Sequence, residues 1–172
     1  METNYLSVDN MNLPHSIDAE QAVLGALLKD PSCLPLVSDM LRILIDDIKN
    51  RDYHLTTGIL GTKYLCEILS EYAPDVLMKL IFQKTYPSWL NLIENKTTLS
   101  ETWDGGRSQN HCMFGSVDEI FYSMLLGIKV NKKVVISPYY AKEINSVRGG
   151  IEFENGAINV EWQRKDEAVF LH

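Results

Sequence analysis

Apolar residues recur at helical spacing through most of this chain and change to the alternating spacing of strands near residue 129. Between residues 64 and 72 they mark one face of a helix, and Pro74 follows directly as a stop signal. Similar patterns predict helices over 76–81, 87–94 and 117–126, whereas the glycine-punctuated stretch 51–62 predicts a loop. Helices joined by short loops favour stacked α-hairpins over the central part of the chain.

The C-terminal stretch has the character of a β-sheet instead. Val134–Ile136 reads as a short apolar strand, and Asn155-Gly156 is a typical two-residue hairpin turn. Residues 157–162 alternate and are expected to pair back across that turn, and 168–171 add an edge strand. The sequence therefore predicts a mainly α fold with a small C-terminal antiparallel β unit.

Charge and composition exclude several classes of function. The 172 residues carry a formal net charge of −7, which disfavours binding to nucleic acid or to an anionic membrane surface. No apolar run approaches the ~18 residues of a membrane span, and the acidic N-terminus lacks the pattern of a signal peptide, so we expect a cytoplasmic protein. The three cysteines show no CxxC spacing, and we expect neither a metal site nor a cofactor.

A helix is expected near the N-terminus, capped by Ser16 and followed by Pro31. The string Pro14–Pro31 resembles the opening of replicative DNA helicases of the DnaB type, and the likeness fades by Arg42. The resemblance implies a helical leader over 1–42, of the kind that packs into a collar in those helicases. No glycine-rich phosphate loop ending in Gly-Lys-Ser/Thr occurs in the sequence, which excludes ATP-driven unwinding by this chain.

The octapeptide Thr97–Asp104 is the strongest chemical signal in the sequence. It places two carboxylates, Glu101 and Asp104, three residues apart around the indole of Trp103. In sugar sites one carboxylate acts on water or on the glycosidic oxygen, and an aromatic ring packs on the sugar. Taken alone the octapeptide favours the other interpretation, in which the two acids are solvated loop residues, and Trp103 is compatible with a core aromatic.

Four motifs in order give the octapeptide a context, namely His54–Thr62, Tyr86–Leu90, Thr97–Asp104 and Asn110–Val117. Together they resemble the C-terminal part of the catalytic domain of bacterial α-L-rhamnosidases, an (α/α)6 barrel of six hairpins. The resemblance covers about residues 44–172. It implies a fragment of that barrel over 43–128 and part of the following β-domain over 129–172.

The resemblance also assigns roles to residues. Glu101 matches the glutamate that activates water in the inverting reaction, Trp103 and Asp104 match the Trp-Asp pair of the site, and His111 matches a histidine that contacts rhamnose. The implied ligand is a rhamnose-containing glycoside. Ser100 and Thr102 stand where that family usually has tryptophan and arginine, and the loop between Asp104 and His111 is shorter. The alternative is that His111 only hydrogen-bonds backbone.

An inverting glycosidase also needs a general acid facing the base, and in this family it comes from an earlier hairpin. None of the other acids considered matches that donor: Asp46, Asp47, Asp52 and Glu94. We therefore expect a truncated or fused rhamnosidase-related chain that is inactive alone and forms a homo-oligomer or an aggregate, because half a barrel leaves apolar faces uncovered. The alternatives are a helicase-collar-like interaction module and a fold remnant without function.

Overall fold

The computed structural model describes residues 34–94, 98–109, 111–154, 156–166 and 168–172, with the side chains of the first helix described from Ser38 onward. The predicted leader helix between Ser16 and Pro31 lies outside these residues, as do Thr97, Asn110 and Asn155. In the part that the structure describes, no helix is long and apolar enough to cross a bilayer.

Among the residues from 34 to 94, four helices precede the predicted site, and the spacing of apolar residues accounts for them. They are α1 (Leu34–Asn50), α2 (Ile59–Tyr72), α3 (Pro74–Ile81) and α4 (Trp89–Ile93). The helices over 64–72 and 76–81 are thus confirmed, and Pro74 occupies the first turn of α3, where a missing N–H costs nothing. The prediction of a loop over 51–62 is wrong at its C-terminal end, because α2 already begins at Ile59.

A fifth helical segment follows the site. It opens with a 3-10 turn (Phe114–Val117), continues as α5 (Asp118–Ile120) and closes with a π-helical turn (Phe121–Leu125). The helix predicted over 117–126 therefore exists, but it starts earlier and is irregular. Its buried side chains Phe114, Val117 and Ile120 pack into the same core as Leu69 and Leu77. This segment closes the helical part of the molecule over α2 and α3.

The C-terminal part forms two antiparallel sheets. The first pairs β1 (Ile128–Val130) with β2 (Val134–Ile136), and the second has the order β3 (Ser146–Phe153), β4 (Gly156–Lys165) and β5 (Ala168–Leu171). The strand at 134–136, the hairpin after 153 and the edge strand at 168–171 are confirmed. The description of the chain as mainly α understates its strands, since β1 was not predicted and the β unit comprises two sheets.

The helical and β parts meet at Gly127. Its backbone has φ +67°, and a Cβ built there would lie 2.2 Å from the amide nitrogen of Pro138, so only glycine fits. Ser137 N–H donates to the Gly127 carbonyl at 2.9 Å, and the buried indole of Trp162 donates to the Leu125 carbonyl at 2.7 Å. The sheets are therefore joined to the end of the helical part by one backbone hydrogen bond and by one from a buried side chain.

Candidate active site

The predicted site lies in a loop between α4 and the fifth helical segment, and this loop folds back on itself. Glu101 N–H donates to the Ser108 carbonyl at 2.9 Å, and His111 N–H donates to the Leu99 carbonyl at 3.1 Å. The Thr98 hydroxyl donates to the Gln109 carbonyl. These cross-loop bonds define the backbone on both sides of the predicted acids, although the segment has no regular secondary structure.

Glu101 lies near the base of this loop with its carboxylate open to solvent on one side. Its side chain is 27 % exposed, and Oε1 lies 3.6 Å from Nη1 of Arg107. Ser108 N–H donates to Oε2 at 3.4 Å. Two groups from the opposite side of the loop therefore face this carboxylate, one a cation and one an amide. Such a carboxylate can accept a proton from a water molecule while its orientation is fixed.

Trp103 points into the protein and completes an aromatic cluster. Its indole N–H donates to the Thr57 carbonyl at 2.7 Å, and its ring stacks on Phe114 with centroids 3.7 Å apart. The ring of Trp89 meets it edge-on at 5.4 Å. Phe114 thus covers one face of the Trp103 ring. Because the side chain is only half-exposed, a sugar could contact only the part of the ring that is open to solvent.

Asp104 is exposed and forms a tight turn with its neighbours. Its Oδ1 accepts from the Thr102 hydroxyl and from Gly106 N–H, the latter at 3.0 Å. These hydrogen bonds, the Thr102 hydroxyl first and the Gly106 amide second, lower the pKa of the Asp104 carboxyl. Asp104 is therefore an oriented anion at the surface of the loop, on the same turn as the Arg107 side chain that faces Glu101.

His111 is half-buried, and the recorded contact of its side chain is local: Nδ1 accepts from Met113 N–H at 3.4 Å. The alternative that His111 bonds backbone is consistent with this geometry. The cross-loop bond to Leu99 places His111 beside the irregular stretch that leads to Glu101. The structure thus collects all four predicted residues in one loop, with Trp103 on the inner side and Asp104 on the outer side.

The fully buried side chain of Ser100 explains one departure from the expected motif. Its hydroxyl donates to the Thr102 carbonyl at 3.1 Å, and its side chain has no exposed surface. A tryptophan at this position would need space that the present packing does not leave. The small residue at 100 therefore belongs to a locally different arrangement of the loop.

Sequence reasoning missed three groups that shape this site: Thr57, Arg107 and Ser108. Thr57 accepts from Trp103 across a long sequence separation, which no local pattern signals. The pair Gly105-Gly106 was a visible signal for a tight turn, and such a turn returns the chain toward Glu101. Within the residues described by the structure, no group of three or more His, Cys, Asp or Glu side chains is arranged to hold a metal ion.

Comparison with known proteins connects this geometry to a family. The model of the bacterial alpha-L-rhamnosidase six-hairpin glycosidase domain matches residues 35–125. A second model, the DnaB-like helicase N-terminal domain, matches residues 12–47. The two matches overlap over 35–47, and that overlap lies entirely within α1.

Curated relatives agree with the first match. The chain is 32 % identical over 171 residues to an alpha-L-rhamnosidase of Alteromonas sp. (strain LOR), covering 90 % of this chain and 19 % of that protein. It is 35 % identical over 158 residues to an alpha-L-rhamnosidase of Streptomyces avermitilis, covering 79 % of this chain and 15 % of that protein. The chain therefore spans less than a fifth of the length of these relatives.

Solved structures extend the similarity to the fold. The structure of an alpha-L-rhamnosidase from Dictyoglumus thermophilum superposes with a TM-score of 0.69 at 36 % identity, over 73 % of this chain and 16 % of that chain. The Streptomyces avermitilis alpha-L-rhamnosidase complexed with L-rhamnose gives a TM-score of 0.69 at 34 % identity, over 74 % of this chain and 14 % of that chain. The family match, the relatives and the shared fold agree: this chain belongs to the bacterial alpha-L-rhamnosidase six-hairpin glycosidase family.

Proposed function

We propose that this chain carries the water-activating side of a site for α-L-rhamnosides, with Glu101 as the general base. In an inverting reaction the base takes a proton from water, the water oxygen attacks the anomeric carbon, and a general acid protonates the departing glycosidic oxygen. The observation that carries the proposal is the Glu101 carboxylate itself, partly exposed and faced by Arg107 and the Ser108 amide.

The sugar-binding roles proposed for the neighbouring residues follow from their placement. Asp104 presents an oriented carboxylate that can accept hydrogen bonds from sugar hydroxyls, and His111 offers a ring nitrogen from the adjoining stretch. Trp103 contributes mainly by supporting the loop through Thr57 and Phe114. The ligand class, a terminal α-L-rhamnoside, is supported by the activity named for the relatives and by the L-rhamnose complex of the Streptomyces avermitilis protein.

We further propose that the 172-residue chain has no turnover by itself. Inversion needs a carboxylic acid about 6.5–9.5 Å from the base on the opposite side of the sugar. None of the acids predicted from the sequence matches such a donor, and Asp47 is already engaged with Arg51 at 3.0 Å on the outer side of α1. The chain would therefore bind and activate water without protonating the leaving group.

A graft tests the role of Glu101 directly. Residues 44–172 would replace the matching segment of the Streptomyces avermitilis alpha-L-rhamnosidase, and release of an aryl group from an aryl α-L-rhamnoside would be followed. We expect activity in the chimera and its loss by roughly 10²–10⁴-fold in Glu101→Gln, because an amide cannot take a proton from water. The matched control is Glu119→Gln, an exposed acid in α5.

The isolated chain supplies the complementary measurement with the same substrate. We expect no release above the uncatalysed rate. Turnover that disappears in Glu101→Gln would instead show that this chain contains its own proton donor. A chimera that folds but remains inactive would favour the fold remnant.

A second candidate function is a helicase-collar-like interaction module, favoured by the helicase match over residues 12–47. Such a module acts by packing helices against a similar domain. Co-sedimentation of this chain with the isolated N-terminal domain of a DnaB-type helicase would support it. Separate sedimentation at micromolar concentrations of both would count against it.

A further inference from the structure

The two-stranded sheet carries an uncovered apolar face. Register pairs Val130 with Val134 and Ile128 with Ile136, so these four side chains lie on one face of the hairpin. Ile128 is buried in a small core, but Val130 and Val134 are 50 % and 47 % exposed. A two-stranded sheet is marginally stable in water unless one face packs against another element. The outer part of this face therefore lacks a covering element among the residues described.

The tip of this hairpin is basic. Lys132 and Lys133 form the turn, and Lys129 lies on the opposite face of β1, with no acidic residue between Ile128 and Ala141. The structure shows no ion pair to these three lysines from any residue it describes. The hairpin therefore presents an apolar strip that ends in two lysines with no ion pair to the described residues, in a chain whose formal net charge is −7.

Helix α1 offers a surface of the opposite kind. Asp39, Ile43 and Asp46 follow one another at spacings of four and three residues, so they share one face of the helix. Ile43 is 64 % exposed, and Met40 beside it is also exposed. Asp39 pairs loosely with Arg42 at 3.7 Å, and no ion pair to Asp46 is recorded in the described part of the chain. This is an apolar residue flanked by carboxylates.

We propose that the β1–β2 hairpin of one copy of this chain docks on the Asp39–Ile43–Asp46 stripe of a second copy. The aliphatic face would cover Ile43, and the two turn lysines would meet the two carboxylates. The lengths agree: seven residues of helix span about 10.5 Å, and two extended lysine side chains diverging from one turn reach across that distance. Charge complementarity selects the helix of a second copy over a second hairpin, because the turn lysines of two hairpins would repel each other.

Because the two surfaces differ, the contact is heterologous, and each copy would keep one free hairpin and one free stripe. Association then continues beyond a dimer unless a ring closes. The test is sedimentation velocity of the full 172-residue chain over a range of concentrations. We expect the weight-average mass to rise with protein concentration and to fall when salt is added, because part of the contact is between exposed charges.

Charge reversal separates this contact from non-specific aggregation. Lys132→Glu with Lys133→Glu, and separately Asp39→Lys with Asp46→Lys, should each weaken self-association by roughly tenfold or more. An equimolar mixture of the two variants should associate again, because each retains one intact surface that fits the other. The matched control is Lys142→Glu with Lys165→Glu, two exposed lysines outside both surfaces, which should behave as the unmodified chain.

Several outcomes would overturn the proposal. A monodisperse monomer at all concentrations would show that no such contact forms. Unchanged association in the Asp39→Lys, Asp46→Lys variant would show that the hairpin binds something other than this stripe. A mixture of the two variants that stays monomeric would show that the weakening came from net charge and not from the pairing of these surfaces. Circular dichroism of each variant confirms that its fold is retained.

Discussion

The carboxylate of Glu101 lies 3.6 Å from the guanidinium of Arg107, across a loop whose two sides are joined by backbone hydrogen bonds. Arg107 has φ +57°, a left-handed conformation that is uncommon for a residue with a side chain. The rhamnosidase resemblance places an arginine directly after the glutamate, where this chain has Thr102. In this loop the cation beside the glutamate comes from the opposite side.

Replacing Arg107 by alanine is expected to change global stability little, by less than about 0.5 kcal/mol, because an exposed ion pair contributes little in water. The local effect should be larger: hydrogen exchange at the amides of Glu101 and Ser108 should accelerate. Urea unfolding gives the first quantity and native-state exchange the second. Arg107→Lys, which keeps the charge, should show a smaller increase in exchange. A large loss of global stability would show that the pair does more than orient the loop.

Trp103 is expected to behave as a core residue. Trp103→Ala should lower the free energy of unfolding by about 3 kcal/mol, because it removes the stacking on Phe114 and the shorter of the two hydrogen bonds to the Thr57 carbonyl, the other being the 3.4 Å bond from the Thr62 hydroxyl. Trp103→Phe keeps an aromatic ring and should lose only about 1 kcal/mol. Tyr122→Ala, at an exposed position, is the control and should be nearly neutral in the same urea titration. Equal losses in all three variants would contradict this packing role.

Asp104 should titrate below the ordinary aspartate value of about 3.9, because the Thr102 hydroxyl and the Gly106 amide stabilise its charged form. A depressed folded-state pKa means that its contribution to stability is present above the unfolded pKa and is lost as the pH falls through the folded one. NMR titration of the carboxyl carbon measures this. Thr102→Val should raise the pKa of Asp104, and an unchanged value would show that the hydroxyl is not the main cause.

The two cysteines that the structure describes should differ in reactivity. Burial, and secondarily the charge of Glu67, raises the pKa of the Cys66 thiol to about 12, so it stays protonated at neutral pH. Cys112 is exposed. In a Cys33→Ser background, a thiol reagent at pH 8 should modify Cys112 rapidly and Cys66 only in denaturant. Fast labelling that persists in a Cys112→Ser variant would show that the helical core opens readily.

The helices of this fold could be predicted well, because apolar spacing and stop residues are signals between residues close together in the sequence. The apolar stripe over 64–72 and the proline at 74 locate α2 and α3 to within a few residues. The start of α2 at Ile59 was missed because Gly58 and Gly61 resemble loop residues, whereas Thr62 bonds back to the Gly58 carbonyl at 2.8 Å and supports the first turn. The strand β1 was missed because three residues carry too little alternation to be recognised.

The site was predicted as a list of residues but not as an arrangement. The Glu101 and Asp104 acids could be located in a loop from their flanking motif. The cation that faces Glu101 could not be predicted, because Arg107 approaches the Glu101 carboxylate only through the left-handed backbone of a turn that brings the chain back. Whether Trp103 faces the core or a sugar depends on where Phe114 and Thr57 lie in space, and spacing along the chain does not determine that.

The contacts around Gly127 bear on how this chain unfolds. The boundary predicted between residues 128 and 129 separates the six-hairpin part from the β unit, yet hydrogen bonds join the residues on its two sides. Tyr139 N–H bonds the Met124 carbonyl at 2.8 Å, and the Trp162 indole bonds the Leu125 carbonyl. A piece ending at 128 would expose these carbonyls and remove the cover of the last helical turn. The two parts should therefore melt as one cooperative unit, with a single calorimetric transition, although they belong to different parts of the resemblance.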